Sequence, residues 1–256
     1  MKIFVCIKQV PDTETKIKLT SSGIDTSGIK WIMNPYDEFA VEEAIKTRDA
    51  NPGSQLWAIT LGPKSRAQEV LRTALAMGAD EGILINTNEN PDSFTTAKAL
   101  ASAINSEGGG RFIFTGKVAI DDNASSVSQM LAGFLEIPHV TAVSKLQIEG
   151  DTIIAHRDVE GGAKEIVQIT GPAVIAANKG LNMPRYASLP GIMKAKKKTL
   201  KEIELSSLGL DPSNQKIVYS NWCPPPEKPF VKMLSGDTSA QVSALVSLLR
   251  DEAKVL

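Results

Sequence analysis

The chain has 256 residues, a mass of 27.4 kDa and a formal net charge of −1, enough for one large domain or one domain with appendages. Hydrophobic residues make up 42% and charged residues 22%, an ordinary globular composition that argues against a global attraction to nucleic acid or anionic membrane. Apolar runs such as Ile3–Ile7 and Ala173–Ala177 are far too short to span a bilayer. Cys6 and Cys223 lie far apart, which suits a reducing compartment. His139 and His156 have no companion that would suggest zinc. No cleavable presequence is visible ahead of the first strand.

In chain order, Lys2–Lys8 is a β-branched, apolar run that predicts a buried strand. Lys16–Thr20 and Ile29–Met33 predict a β-hairpin excursion across a Ser/Gly/Asp turn. Asn34, Pro35, Asp37 and Glu38 form a helix start, with Asn as cap, Pro at the first helical position and acids in the first turn. That helix is expected to run to about Arg48. A strand over Gln55–Leu61, a helix over Ser65–Met77 closed by Gly78, a strand over Glu81–Asn86 and a helix over Ser93–Asn105 follow. Arg111–Thr115 predicts a strand ending at Gly116, and residues from about Asp122 to Leu135 another helix. Val140–Gln147 opens a strand region, Asp151–Arg157 and Glu165–Thr170 predict an antiparallel hairpin, and Ala173–Ala177 a short buried strand.

Asn182–Lys198 places apolar side chains among prolines and glycine with neither helical nor strand period, then enters a lysine cluster. Apolar groups that no regular element can bury suggest docking. From 199 onward Pro224, Pro225, Pro226 and Pro229 impose an extended path. A last amphipathic helix is expected over Thr238–Lys254. The expected architecture is α/β: a Rossmann-like three-layer sandwich with a mostly parallel sheet, a hairpin excursion and an extended C-terminal arm with a terminal helix. Residues 1–198 form the nucleotide-binding type of domain, including a loop at 182–198, and 199–256 form the arm.

Ligands of such sheets sit at the carboxyl ends of strands. Four places qualify: Cys6–Val10, Asn34–Asp37, Leu61–Pro63 and Gly116–Val127. In the last, Asp121, Asp122 and Asn123 offer acceptors for hydroxyl or amino groups. Ser125, Ser126 and the backbone N–H groups around Val127 could hold a phosphate at a helix N-terminus. The same Asp122, Asn123 and Ser125 could equally serve only as helix caps. Neither a GxGxxG fingerprint nor a Walker lysine motif occurs, so pattern alone leaves a nucleotide cradle and a plain scaffold both open.

Two longer blocks carry a family resemblance: Ala155–Gly162 (AHRDVEGG) with Glu165, Val167 and Pro172–Ala176, and Leu181–Pro190 (LNMPRYASLP) continuing through Ile192, Met193, Lys194 and Ala195. Met33-Asn34-Pro35, Arg72–Asp80 and Ala119–Asp122 add to them. Together they resemble the β subunit of electron-transfer flavoproteins over nearly the whole chain. The resemblance implies a heterodimer with a larger α subunit, which holds the redox-active FAD near the β surface. It implies a structural AMP in this subunit, contacting Cys6, Asn34, Pro35, Tyr36, Asp37, Leu61, Gly116, Lys117, Val118, Ala119, Ile120, Asp121, Asp122, Asn123, Ala124, Ser125, Ser126 and Val127. These positions coincide with the four strand-end places. Many relatives carry Asn, Gln and Thr where this chain has Ser125, Ser126 and Val127, so phosphate contact would lean on backbone N–H groups.

The resemblance also makes the second block a partner-recognition loop. Tyr186, Pro190, Ile192 and Met193 flank an anchor leucine that is Leu189 by position, and Asp158 is an acid that pairs reversibly with an α-subunit arginine. A hairpin surface carboxylate is the plainer reading of Asp158. Lys194, Lys196, Lys197 and Lys198 read either as a solvated charge run or as a cluster steering an acidic partner. The implied task is electron carriage rather than catalysis, from acyl-CoA or related dehydrogenases to a membrane quinone oxidoreductase. The cytoplasm is the expected location, with the mitochondrial matrix as the alternative. Electron-bifurcating relatives hold a second FAD in this cleft and tend to show a Gly-Asp-Thr-Ala-Gln-Val-Gly-Pro run; Asp122–Gln129 here (DNASSVSQ) is similar to the AMP-binding type. A stand-alone adenine-nucleotide-binding module is a further alternative.

Overall fold

The structure, a computed structural model, describes residues 1–256 apart from Ser22, Pro212 and Asn214. The chain divides into two compact units: residues 1–18 with 25–220, and residues 19–24 with 221–256.

The first unit is built on β1 (Lys2–Cys6), whose alternate side chains enter different cores. Ile3 and Val5 face one layer and Phe4 and Cys6 the other, all buried. A strand covered on both faces has no polar side, which is why the run is continuously apolar. After β1 come β2 (Gln9–Pro11) and β5 (Trp31–Met33), while β3 (Leu19–Thr20) and β4 (Gly23–Ile24), between them in the chain, belong to the second unit. The sequence then alternates: α1 (Pro35–Asp49), β6 (Gln55–Gly62), α2 (Lys64–Met77), β7 (Glu81–Asn86), α3 (Ser93–Ser106), β8 (Phe112–Gly116) and α4 (Val127–Leu135). Strands β9 (His139–Glu149), β10 (Thr152–Asp158), β11 (Lys164–Thr170) and β12 (Ala173–Ala177), helix α5 (Leu189–Lys197) and β13 (Lys201–Glu204) complete the unit.

Nine strands form one sheet in the order β11-β10-β9-β12-β8-β1-β6-β7-β13. Pairing is parallel from β9 through β13, and β10 and β11 extend the β9 edge as an antiparallel meander. One core lies between the sheet and α1, α2 and α5; the other between the sheet and α3 and α4. The chain leaves β1 toward the α1 face and leaves its neighbour β8 toward the α4 face. The strand order therefore switches direction between β1 and β8, where open α/β sheets form a crevice at their carboxyl ends. The α/β, Rossmann-like expectation is met.

Four local expectations are corrected. The hairpin excursion does not pair Lys16–Thr20 with Ile29–Met33. Instead β2 pairs β5 with Val10 opposite Ile32, and β3 pairs β4. Burial decides the register: Val10 and Met33 are enclosed, whereas Ile17 is exposed; Ser22 of the expected turn lies outside the described residues. Helix α4 begins at Val127 rather than near Asp122, because Asn123 and Ser125 take positive φ (52° and 47°). Asn182–Lys198 is not wholly irregular. Ser188 accepts a hydrogen bond from the Gly191 N–H (3.1 Å) and starts α5, with Pro190 in its first turn.

The fourth correction concerns the boundary at 198. Strand β13 pairs with β7, and Leu200 and Leu205 are buried in the two cores, so the body continues to Ser220. In the second unit α6 (Thr238–Ser247) is shorter than the expected helix and passes into a π-helical turn at Leu248–Glu252.

Removing residues 199–256 deletes an edge strand and two buried leucines, a loss of several kcal/mol, since each large-to-small core change costs about 2–5 kcal/mol. A chain ending at Ser220 is expected to melt within a few degrees of its parent. One ending at Lys198 is expected to melt roughly 10 °C lower or to fail to fold; circular dichroism melts of the two truncations check this.

Candidate functional site

At the switch point a buried amide and a buried carboxyl at the start of α1 hold the strand ends together. Asn34 makes no side-chain cap to its own helix. Its Nδ2 donates to Asp37 Oδ1 (2.9 Å) and to the Val118 carbonyl (3.0 Å), and its Oδ1 accepts from the Ile120 N–H (3.2 Å). Asp37 also accepts from the Lys8 N–H (2.7 Å) beyond β1 and from the Gly116 N–H (3.0 Å) at the end of β8. Gly116 is required by the close approach: a Cβ there would lie 2.2 Å from Asp37 Oδ1. Burial pushes the Asp37 carboxyl up to about 7, against the pull of its N–H donors and Lys8.

The loop after β8 crosses this knot. Lys8 Nζ reaches Asp121 and Asp122, both at 2.9 Å. Burial opposes its charge, but the two carboxylates outweigh it and raise the ammonium pKa. The Ser125 hydroxyl donates to the Lys117 carbonyl (2.8 Å), and Lys117 lies over the Tyr36 ring. Ser126, the α4 cap, makes no side-chain cap bond, so side chains leave the first-turn N–H groups free to meet an anion. Cys6 is buried, and burial first and Asp37 second push its thiol up, which keeps it inert. Of the expected cradle residues, Asn34, Asp37, Gly116, Val118 and Ile120 meet in one hydrogen-bonded knot, joined by Asp121 and Asp122 through Lys8. Pro35 opens α1, Leu61 ends in the partly buried rim of the α3/α4 core, and Ala119 accepts from the Asn123 N–H. Ala124 donates to Asp122. Sequence reasoning did not single out Lys8; a lysine two residues past a buried strand was the available signal.

The loop after β12 is a second surface, clamped at both ends. Arg185 grips the buried Glu42 of α1 through Nε (2.7 Å) and NH2 (2.9 Å), and Asn182 donates to Phe39 O and Glu43 (both 2.9 Å). On the far side Arg72 donates to the carbonyls of Ala195 and Lys198, and Gly191 lies so close to the Ala76 carbonyl that a Cβ would overlap it. Between the clamps Tyr186 is 97% and Leu189 80% exposed, with Met193 and Ile192 also exposed beside Pro190. Lys198 is turned inward and donates to the Ala79 and Asp80 carbonyls. Asp158 accepts from Lys164 (2.6 Å), Ser144 (2.7 Å) and Asn178 (2.8 Å); Lys164 first, then Ser144, hold its carboxyl at about 2. Among the described residues no helix is long and apolar enough to cross a membrane, and no acid, His or Cys cluster could hold a metal.

Fold and geometry together define a Rossmann-like α/β protein with a hydrogen-bonded knot at its strand ends and an exposed apolar loop clamped on both sides. Residues 22–208 match the family model of the Electron transfer flavoprotein domain. The chain is 43% identical to the electron transfer flavoprotein subunit beta of Bacillus subtilis (strain 168) and 38% identical to that of Bradyrhizobium diazoefficiens. It is 39% identical to the mitochondrial one of Arabidopsis thaliana, and each of the three comparisons covers 100% of both chains. The chain belongs to the electron transfer flavoprotein family, among its β subunits.

The knot makes two predictions. Gly116→Ala forces its methyl into Asp37 and is expected to destabilise the fold by about 2 kcal/mol or more in urea melts. The Asp37 value of about 7 lies above the unfolded 3.8, so protonation favours the folded state. That contribution is complete below about pH 4 and is lost as pH rises through about 7. Stability of the nucleotide-free chain is therefore expected to fall from about pH 4 to about pH 7 and to level off above that, and carboxyl-carbon NMR of the folded chain should show Asp37 titrating near 7.

Proposed function

We propose that this chain is the β subunit of a heterodimeric electron carrier, paired with a larger α subunit that holds most of a shared FAD. It binds AMP structurally in the cradle between β1 and β8. Electrons arrive from acyl-CoA or related flavin dehydrogenases and leave to a membrane quinone oxidoreductase. When bound, the flavin supplies the redox chemistry, and this chain's residues supply docking and orientation. The observation that carries the reading is the clamped loop: large apolar side chains held out from the body by Arg185–Glu42 and by the α5–α2 contact. A monomer that functions alone has no use for a rigid, exposed apolar spur.

The cradle supports AMP on chemical grounds. Uncapped N–H groups at α4 suit a phosphate, and the backbone ring of Lys8, Gly116 and Ile120 gives a fixed rim. The second unit supports a permanent partner. Phe230, Val231 and Met233 are exposed, and α6 has no buried residue; this segment is the arm that wraps the α subunit. Asp158, held by Lys164, Ser144 and Asn178, is preorganised as an acceptor for a partner guanidinium.

Mass spectrometry of the chain co-purified with its α subunit is expected to find one AMP and one FAD per heterodimer. Two FAD and no AMP would mean the bifurcating type, and a stable monomer with no affinity for an α subunit would mean a stand-alone nucleotide module. Leu189→Ala is expected to slow electron transfer from the dehydrogenase about tenfold or more, as for an interface anchor, with FAD content unchanged. Loss of FAD together with activity would make Leu189 structural instead.

A further inference from the structure

The apolar loop holds two methionines out from the body. Of the seven in the chain, Met33 and Met77 are buried and Met130 is half-buried, whereas Met183 is 89% and Met193 59% exposed. The other two exposed ones, Met1 and Met233, lie at the N-terminus and in the second unit. Met193 follows Leu189 by four residues on α5, so the two side chains are neighbours on one face of the helix. That face points outward. Ala195 is the buried residue of α5, and Gly191 presses on the Ala76 carbonyl of α2, which puts the opposite side of the helix against the body.

Neither methionine is free to fold back. Met183 lies between Asn182 and Arg185, which are tied to Phe39, Glu43 and Glu42 of α1. The backbone beyond Met193 is held by Arg72 at the carbonyls of Ala195 and Lys198. A thioether is apolar and adapts to an irregular apolar partner surface. Its sulfoxide is polar and carries a strong acceptor oxygen, so one oxygen atom reverses the character of the contact. Exposure makes Met183 and Met193 open to that change, and the clamps keep them so.

We propose that Met183 and Met193 are oxidation sites through which hydrogen peroxide weakens docking by this loop. The proposal rests on the docking role given above and adds a modification to it. In the step, the sulfur lone pair attacks one peroxide oxygen, the S–O bond forms, the O–O bond breaks, and a proton shift releases water. The sulfur loses two electrons and the peroxide gains them. Two thiols reverse the change, becoming a disulfide and releasing the oxygen as water.

The test uses the heterodimer co-purified with its α subunit. It is treated with hydrogen peroxide, cleared of peroxide with catalase, and then reduced by an acyl-CoA dehydrogenase supplied with octanoyl-CoA. Peptide mass spectrometry follows each methionine, and every sample is compared with its own untreated portion. Oxidation of Met183 and Met193 is expected to slow reduction about tenfold, since a sulfoxide oxygen must lose its water in an apolar contact, with FAD content unchanged. A methionine sulfoxide reductase should restore the rate. The Met183→Leu/Met193→Leu double variant should hold its own untreated rate through the same peroxide treatment. Resistance of the two methionines to doses that oxidise Met33 or Met77, an unchanged rate once they are oxidised, no recovery with the reductase, or an equal loss by the double variant would each overturn the assignment. A parent that accepts no electrons, or an unchanged rate for Leu189→Ala, brings down the docking reading and this one with it. A slowed Leu189→Ala beside an oxidised parent of full rate removes this inference alone.

Discussion

The functional end of the molecule depends on the contact between Asn34 and Asp37. A carboxyl with no access to water is tolerated only when donors surround it. Here the donors are the Lys8 N–H, the Gly116 N–H and the Asn34 amide, which belong to three separate chain segments. The segment after β1, the end of β8 and the start of α1 are therefore tied by one group. Asn34 does the same for the loop beyond β8 through Val118 and Ile120. Its side chain is free for this work because the Asp37 N–H, which a cap side chain would serve, donates to the Asn34 backbone carbonyl instead (2.8 Å).

The same helix carries the second surface. Asn34 and Asp37 sit in the first turn of α1, and Phe39, Glu42 and Glu43 follow within two further turns. The first pair holds the cradle loop, and the second group holds Asn182 and Arg185. Helix α1 thus acts as a rigid bar between cradle and loop, anchored along its length by Ala40, Val41, Ala44 and Ile45 in the core. Glu42 is held ionised by Arg185 despite burial. Breaking that pair would strand a carboxylate in the protein, so the loop is fixed by the cost of release more than by the strength of the pair.

The centre of the sheet was legible in the sequence because its strands are buried on both faces and read as unbroken apolar runs, from Ile3–Cys6 to Ala173–Ala177, whereas the exposed edge strand β13 carries no such run. The helices between them were legible from caps and period. What was hidden depends on tertiary choices. Val10 and Ile17 look alike in a window, and only the core decides which one is paired and enclosed. Asp122, Asn123 and Ser125 resemble a helix start, yet Asp122 turns to Lys8 and Ser125 to Lys117, leaving α4 to begin later. Helix α5 escaped the periodicity test because it buries only Ala195 and shows its larger apolar groups to solvent. The strand ends that border the crevice could be read from the alternation of strands and helices, but not the knot, since nothing in a linear reading says that Asp37 will meet Gly116.

An apolar surface held this way has a particular energetic character. Tyr186, Leu189 and Met193 are already exposed, and the backbone that carries them is clamped on both sides. Little loop entropy remains to be lost on contact, which favours fast engagement with a small patch rather than slow folding onto a large one. Lys198 takes no part, because its ammonium caps the carbonyls after α2. The exposed Lys194, Lys196 and Lys197 lie in the last turn of α5, where they complement the helix dipole whatever else they do. Steering by that cluster would thus rest on three ammonium groups beside the spur, with affinity left to the apolar anchors. The carrier role proposed above would be served by that division, since a surface that need not rearrange can engage and release a partner through few contacts.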